Sequence, residues 1–250
     1  MNNFDYTKTP PSFEGVFNNW QLPKKQGKGL QSTRWLDRIR SQLDEYRNEL
    51  KINSLCSPPR PSDLPFFCND NGIKSIIDFG GSSGWLWDYI KATCLTTKIE
   101  KYNVIETLEV CDFINNNSLH KKPVFYNTYE NFNGLGDVVY CNSVLQYIDN
   151  EEYFLTLIKK SKAKIILLED LYLGDFDDFY STQVYYEDRI PVKFRNKKKF
   201  INLFEDLGFS LTLVKPYICA HRGVVQPLPM EGFPVNKKIK YSSTILFKKI

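Results

Sequence analysis

No two of the six cysteines in this 250-residue chain stand two residues apart, so neither a zinc ribbon nor a dithiol redox motif can be drawn. Several lie inside apolar runs, as Cys141 does in Val138-Val139-Tyr140-Cys141, and read as reduced core residues, not a disulfide framework. No stretch approaches the about 18 apolar residues of a membrane-spanning helix. The first residues, MNNFDYTKTPPSFEG, lack the charged-then-apolar order of a secretory signal. A cytoplasmic protein with no integral membrane contact is the expectation. A concentrated basic patch is also missing: net charge is +4, with Lys24-Lys25, Lys121-Lys122, Lys197 to Lys199 and Lys237-Lys238 scattered along the chain. That excludes nucleic acid as the expected main partner. Internal repeats and low-complexity tracts are absent too.

What is present is ordinary for a globular domain: 42% hydrophobic and 25% charged residues, enough for one large core. Residues 1–30 are rich in Pro, Gly, Asn and Lys but carry Phe13, Phe17 and Trp20, which describes a loop-rich docked arm. Trp35, Leu36, Ile39, Leu43, Tyr46 and Leu50 recur at helical spacing and predict an amphipathic helix over 33–51. Pro58, Pro59, Pro61 and Pro65 then argue against regular structure up to about Phe67. Beyond Gly72, short apolar strands alternate with helical patterns, the signature of an α/β fold with a mostly parallel sheet. Strands are expected at 75–78, 102–106, 124–126, 137–141 and 164–169, with helices at 84–93, 108–117, 144 or 150 to 161, and 195–207. Phe209 to Lys215 and Ser242 to Lys248 read as two further strands, pairing antiparallel at the sheet edge. The expected division is an arm and covering helix in 1–70 and an α/β domain in 71–250.

DFGGSSGW, residues 78–85, joins the first strand to a helix. Glycines in such a turn permit positive φ and let the backbone approach a ligand at a helix N-terminus. Their positions, 80, 81 and 84, do not make the G-x-G-x-x-G of dinucleotide folds. They fit D-x-G-x-(G/S)-x-G, which resembles the first motif of class I S-adenosylmethionine-dependent methyltransferases. The resemblance implies a Rossmann-like fold with a seven-stranded sheet whose last strand is antiparallel. It also implies that Gly80, Gly81 and Ser82 line the cofactor's methionine part, that Gly84 belongs to the same cofactor-binding turn, and that Asp78 orients the loop or reaches the cofactor's ammonium through water. Glu106, 28 residues beyond Asp78 at the end of the second strand, would accept from both ribose hydroxyls with Thr107 beside it; Glu109 is the alternative acid. Tyr126 and Asn127 would frame the adenine, and Asn142 and Ser143 the methionine end or reaction zone. FEGVFNNW, IIDFGGSSGW, VIETLEV, DVVYCNSVLQYI, STQVYYEDRIPVKF and SSTILFKK together resemble methyltransferases encoded among genes for bacterial surface polysaccharides, capsule and O-antigen. That resemblance implies O-methylation of a sugar hydroxyl or a phosphate-type group on a polysaccharide precursor.

Acceptor-side chemistry must come from loops at the carboxyl ends of the strands. The segment LYLGDFDDFYSTQVYYEDRIP, 171–191, reads as a lid in which Gln183, Tyr185, Tyr186 and Arg189 meet the acceptor. His221 is the first candidate base because its unperturbed pKa lies near neutrality, and Asp170 is the second. Arg189 and Arg222, if convergent, would favour an anionic acceptor. Asp175, Asp177 and Asp178 are candidate ligands for a divalent ion, with a charged surface loop as the plainer reading. His120, among Ser118, Lys121 and Lys122, reads as solvated. Two rival readings stand beside methyl transfer: a nucleotide-sugar dehydrogenase or epimerase, and a non-catalytic scaffold built on the same fold.

Overall fold

The computed structural model describes residues 12–250 apart from 54, 55, 70, 71, 95, 97, 118, 122, 186, 222 and 223, and the side chains of His221 and Val224 also lie outside it. After strand β1 (Phe13–Phe17) comes helix α1 (Thr33–Ile52), which Ser32 caps by accepting from the Trp35 amide at 3.2 Å. Ile39, Leu43 and Tyr46 form its buried stripe. The short helix α2 (Leu64–Cys68) sits where prolines predict irregular chain; Pro65 falls in its first turn, where the missing N–H has no helical partner to lose.

From there strand and helix alternate: β2 (Ser75–Phe79), α3 (Trp85–Thr93), β3 (Lys101–Ile105), α4 (Leu108–Asn116), β4 (Val124–Asn127), β5 (Val138–Asn142), α5 (Glu152–Ser161) and β6 (Ile165–Leu171). The chain continues through β7 (Leu173–Gly174), β8 (Phe179–Tyr185), β9 (Asp188–Asn196), α6 (Lys197–Glu205), β10 (Phe209–Tyr217), the short pair β11 (Ala220–His221) and β12 (Val224–Val225), and β13 (Ser242–Lys249). Seven strands form the main sheet in the order β10-β13-β6-β5-β2-β3-β4, parallel except for β13, which runs antiparallel to both neighbours. The antiparallel pair expected at the edge is there, with β13 inserted between β6 and β10.

Successive residues of each strand feed opposite cores, which is why these strands read as unbroken apolar runs. Ile77, Val139, Ile166, Leu168 and Phe247 pack on α5 and α6 through Phe154, Leu157, Phe200 and Phe204. Ile76, Tyr102, Val104, Tyr140 and Leu167 pack on α2 and α3 through Leu64, Leu86, Trp87 and Ile90. Chain order reverses between β2 and β5. In open sheets of this kind the crevice at the carboxyl ends beside that reversal is where ligands sit.

The structure corrects two expectations. The segment 171–191, read as a loop, is largely strand: β8 and β9 pair from Phe179↔Phe194 to Tyr185↔Asp188 and join β1 and β7 in a second, four-stranded sheet. Its reason is a third core in which Phe179 and Phe194 stack at 4.7 Å, with Phe13, Tyr172 and Phe233 around them. The arm in turn contributes a strand, because β1 completes the sheet edge beside β8. This sheet also grips the turn after β5. Arg195 donates to Glu151 at 2.5 Å and to the carbonyls of Leu145 and Ile148 at 2.7 and 2.8 Å. Lys193 donates to the Asp149 carbonyl at 2.9 Å and to Glu151 at 3.1 Å.

Candidate active site

The turn after β2 is built from below. Asp78, 2% exposed, accepts from the Tyr102 hydroxyl at 2.6 Å, and burial pushes its pKa up to about 7 against that hydrogen bond. A Cβ on Gly81 would lie 2.4 Å from the same carboxylate oxygen, and one on Gly80, whose φ is +72°, would lie 2.2 Å from Val144. Packing within the turn therefore already requires glycine at both positions. Ser82 adopts φ 54°, and its N–H donates to Glu106 Oε1 at 2.9 Å while the Thr107 N–H donates to Oε2 at 3.0 Å. A carboxylate offers about four lone-pair positions, so Glu106 keeps acceptor capacity beyond these two bonds. Burial raises its pKa, with the two N–H bonds opposing the rise.

Tyr126 and His120 close the other side of the turn. The Tyr126 hydroxyl donates to the Ser82 carbonyl at 2.9 Å, and His120 Nε2 lies 2.6 Å from the Ser83 carbonyl. A carbonyl only accepts, so Nε2 carries the hydrogen; Nδ1 is 3.3 Å from the Arg47 guanidinium, which only donates, so Nδ1 is bare. The ring is neutral, and burial lowers its pKa in the same sense. Contrary to the sequence expectation, His120 is not a solvated side chain; the free carbonyl of Ser83 draws it in. Gly84, φ +69°, begins α3 beneath both rings, where a Cβ would meet the Tyr126 hydroxyl at 2.6 Å. The Asn127 carbonyl accepts from the Glu106 N–H at 3.0 Å, and Glu109 is exposed on the first turn of α4.

Across the crevice, Asn142 ends β5 beside Glu169 of β6. Glu169, 1% exposed, accepts from the Tyr140 hydroxyl at 2.6 Å, the Asp63 N–H at 2.8 Å and Asn142 Nδ2 at 3.1 Å. Burial lifts its pKa to about 7, opposed chiefly by the Tyr140 bond. Asp170 accepts from the Ser242 hydroxyl at 2.6 Å and from Arg60 at 3.1 Å, and Arg60 also donates to Ser143 Oγ at 3.2 Å. Ser143 and Asp170 have φ of 60° and 57°. With Ser82, three non-glycine residues at the strand tips thus hold a conformation that costs on the order of 1–3 kcal/mol each and is kept where surroundings enforce it.

The remaining sequence candidates divide. Gln183 accepts from the Tyr147 hydroxyl at 2.8 Å and so reaches the rim of β5. Tyr185 accepts from Arg38 at 2.9 Å and packs edge-on against Trp35. Arg189 pairs with Glu14 at 3.0 Å, tying β9 to β1. Tyr186, Arg222 and the His221 side chain lie outside the described residues. Two residues before His221, the buried Cys219 thiol is pushed up to about 11 by burial and then by the charge of Asp170. Asp175, Asp177 and Asp178 pair with Lys197, Lys199 and Lys193 at 3.0, 3.2 and 3.6 Å. Among the described residues no His, Cys, Asp and Glu cluster could hold a metal ion. Arg60, Tyr102, Tyr140 and Tyr217 were given no site role from the sequence, and His120 was read as solvated. A lone arginine among four prolines was the one signal available for Arg60; the tyrosines read as core.

Among the described residues, Ser83 Oγ, Thr107 Oγ1, Asn142 Oδ1 and Gln146 Oε1 are buried with no hydrogen-bond partner. Such groups need an explanation, and they lie at or after the ends of β2, β3 and β5, the strands beside the reversal of chain order.

No protein-family model matches the sequence, and a search of curated proteins returns no match. Solved structures do match. A chain of the complex between the Haloferax volcanii Trm112 methyltransferase activator and a methyltransferase aligns at TM-score 0.50 and 11% identity, over 86% of this chain and 94% of that one. This is the Rossmann-like methyltransferase fold. An S-adenosylmethionine-dependent methyltransferase from Clostridium acetobutylicum aligns at TM-score 0.49 and 12% identity, over 82% and 98%. The 1,6-didemethyltoxoflavin-N1-methyltransferase of Burkholderia thailandensis aligns at TM-score 0.49 and 10% identity, over 91% and 93%. In the methyltransferase fold the rim just described is the carboxyl edge of the central strands. No helix among the described residues is long and apolar enough to cross a membrane.

Proposed function

We infer that the protein is an S-adenosylmethionine-dependent methyltransferase acting on a small-molecule acceptor. One observation carries the reading: a glycine turn whose Ser82 N–H is held by Glu106 lies at the chain reversal, amid unpartnered buried acceptors at Thr107 and Asn142. Those residues fit the cofactor. Glu106 and Thr107 would take its ribose hydroxyls, the turn 80–84 and Asn142 its amino-acid end, and Tyr126 and Asn127 its base. When bound, S-adenosylmethionine supplies an electrophilic methyl group on sulfur. The chain's part is to fix the donor, exclude water, and present an acceptor atom about 3–3.5 Å away in line.

Acceptor-side roles fall to residues around the tips of β5 and β6, where Asp170 stands near the end of β6 and Gln183 meets Tyr147; His221, Tyr185 and Arg189 are the further sequence candidates. The finer reading, O-methylation of a capsular or other surface-polysaccharide precursor at a sugar hydroxyl or phosphate-type group, rests on the sequence resemblance. An antiparallel β13 and the missing G-x-G-x-x-G count against a dinucleotide-dependent dehydrogenase. Calorimetry with S-adenosylmethionine and S-adenosylhomocysteine tests the core of the proposal. Binding of both is the expected result; binding of neither in folded protein overturns it. Binding without transfer to any offered acceptor favours the non-catalytic scaffold.

A further inference from the structure

Beside the β6 tip, under the segment that leads into α2, lies a cavity of about 220 Å³ lined by Pro61, Ser62, Asp63, Glu169, Lys215, Pro216, Tyr217, Ile218 and Thr244. It is several times the about 30 Å³ share of one water. Thr244, fully buried, has a hydroxyl with no partner. Glu169 forms part of the wall and is one hydrogen bond from Asn142 at the crevice. The wall's charges decide what fits. Its cation, Lys215, is already 2.5 Å from Asp63, which leaves a second acid, Glu169, and no cation in the lining to meet an anionic group. The Tyr217 hydroxyl is already held, donating to the Pro61 carbonyl at 3.0 Å and accepting from Asn142 at 3.2 Å. The open Thr244 hydroxyl, with carboxylates and apolar Pro and Ile surfaces, suits a neutral polyol, whose every hydroxyl both donates and accepts.

We propose that this cavity is the acceptor subsite, that it takes the neutral, hydroxyl-bearing part of the acceptor, and that Glu169 receives the proton of the hydroxyl that is methylated. The proposal rests on the methyltransferase reading and selects a hydroxyl over a phosphate-type group. As the acceptor oxygen forms its bond to the methyl carbon, the carbon–sulfur bond breaks with its electron pair to sulfur. The hydroxyl proton passes to the Glu169 carboxylate and from there to water. Burial pushes the Glu169 carboxyl up to about 7, the range that suits a general base. The groups facing it are Tyr140, Asp63 with Lys215, Tyr217, Asp78 and Tyr89.

The test uses the full chain, labelled S-adenosylmethionine, and a panel of free hexoses, methyl hexosides, nucleoside-diphosphate hexoses and hexose phosphates. Label found in a base-stable methyl ether on a sugar carbon supports the proposal; label in a phosphate methyl ester, or in no panel member, overturns it. Glu169→Gln is expected to lower kcat on the order of 10²–10⁴-fold. It should erase the acidic limb of the kcat/KM profile near pH 7 and leave S-adenosylhomocysteine affinity within threefold. Thr244→Val is expected to raise KM for the sugar with little change in kcat. An unaltered pH profile in Glu169→Gln removes Glu169 as the base. Failure of the wild-type chain to bind S-adenosylhomocysteine sinks the underlying reading instead, so the two failures are distinguishable.

Discussion

The two halves of the sheet's carboxyl rim are held in different ways. Around β2, β3 and β4, the turn is fixed by bonds from its own backbone to Glu106, Tyr126 and His120, all within 44 residues along the chain. Around β5, β6, β10 and β13, the bonds join segments brought from far apart: the Arg60 side chain to Asp170 across 110 residues, the Asp63 N–H to Glu169 across 106, the Tyr217 hydroxyl to the Pro61 carbonyl across 156. A local scaffold suits a site with one fixed ligand, and a long-range one lets the pocket vary while the scaffold stays.

Substitutions can separate the halves. Glu106→Ala removes a carboxylate that would accept charge-assisted or hydroxyl bonds, each worth about 1.5–3 kcal/mol. It should weaken S-adenosylhomocysteine binding by roughly 100-fold or more in calorimetry, with the circular dichroism spectrum unchanged; Arg60→Ala should stay within about threefold. Equal losses in both variants would erase the distinction. Asp78→Ala is expected to abolish binding as well, through collapse of the carboxyl support under Gly81.

The second sheet grips the turn after β5 through Glu151. Replacing Glu151 with Ala leaves the buried Arg195 without a carboxylate, on backbone carbonyls such as those of Leu145 and Ile148, and Lys193 with Asp178 at 3.6 Å and the Asp149 carbonyl. Loss of the Arg195 counter-charge costs about 3 kcal/mol, read as a lowered denaturation midpoint. Burial opposes ionisation of Glu151, but Arg195 and Lys193 hold its carboxyl below the usual range. Its contribution is therefore present above the unfolded pKa and is lost as pH falls below about 4.3.

Asp78 and Glu169, one in each half, behave oppositely. Both are neutral in the folded and unfolded chains below about pH 4. Between there and about 7 the unfolded chain releases protons that the folded chain keeps, so stability falls through this window and levels off above it. Urea midpoints should decline from pH 4.5 to 7.5 in the unliganded protein. Asp78→Asn and Glu169→Gln should each remove a part of the slope, and a slope insensitive to both would place the titration elsewhere.

The smallest effect is expected at His120. Its substitution by Ala removes one hydrogen bond to the Ser83 carbonyl, about 1 kcal/mol of stability. Loosening of the turn should weaken S-adenosylhomocysteine binding severalfold, while Tyr217→Phe, on the other half, should leave that binding alone.

Local order was legible in the sequence because its signals are local. The stripe of Ile39, Leu43 and Tyr46, the apolar runs of the parallel strands, and the turn DFGGSSG each record a requirement met within one element or one strand–helix junction. Asp78, Glu106 and Tyr126 could be placed at strand ends for that reason. Residues 171–191 were harder: long, aromatic and mixed in charge, they suggested a lid, although two aromatic and β-branched runs, Phe179 to Tyr185 and Ile190 to Phe194, on either side of Glu187-Asp188 also describe a hairpin.

Sequence by itself determined the element order and the turn at the first strand, since periodicity and glycine placement act over a few residues. Only the tertiary structure decided that Arg60 meets Asp170, that His120 closes the turn as a neutral ring, and that Glu169 is buried with an empty-handed Thr244 on the same cavity. Hydrogen bonds and desolvation depend on which distant segments exclude water around a group, and nothing in the spacing of residues along the chain records that.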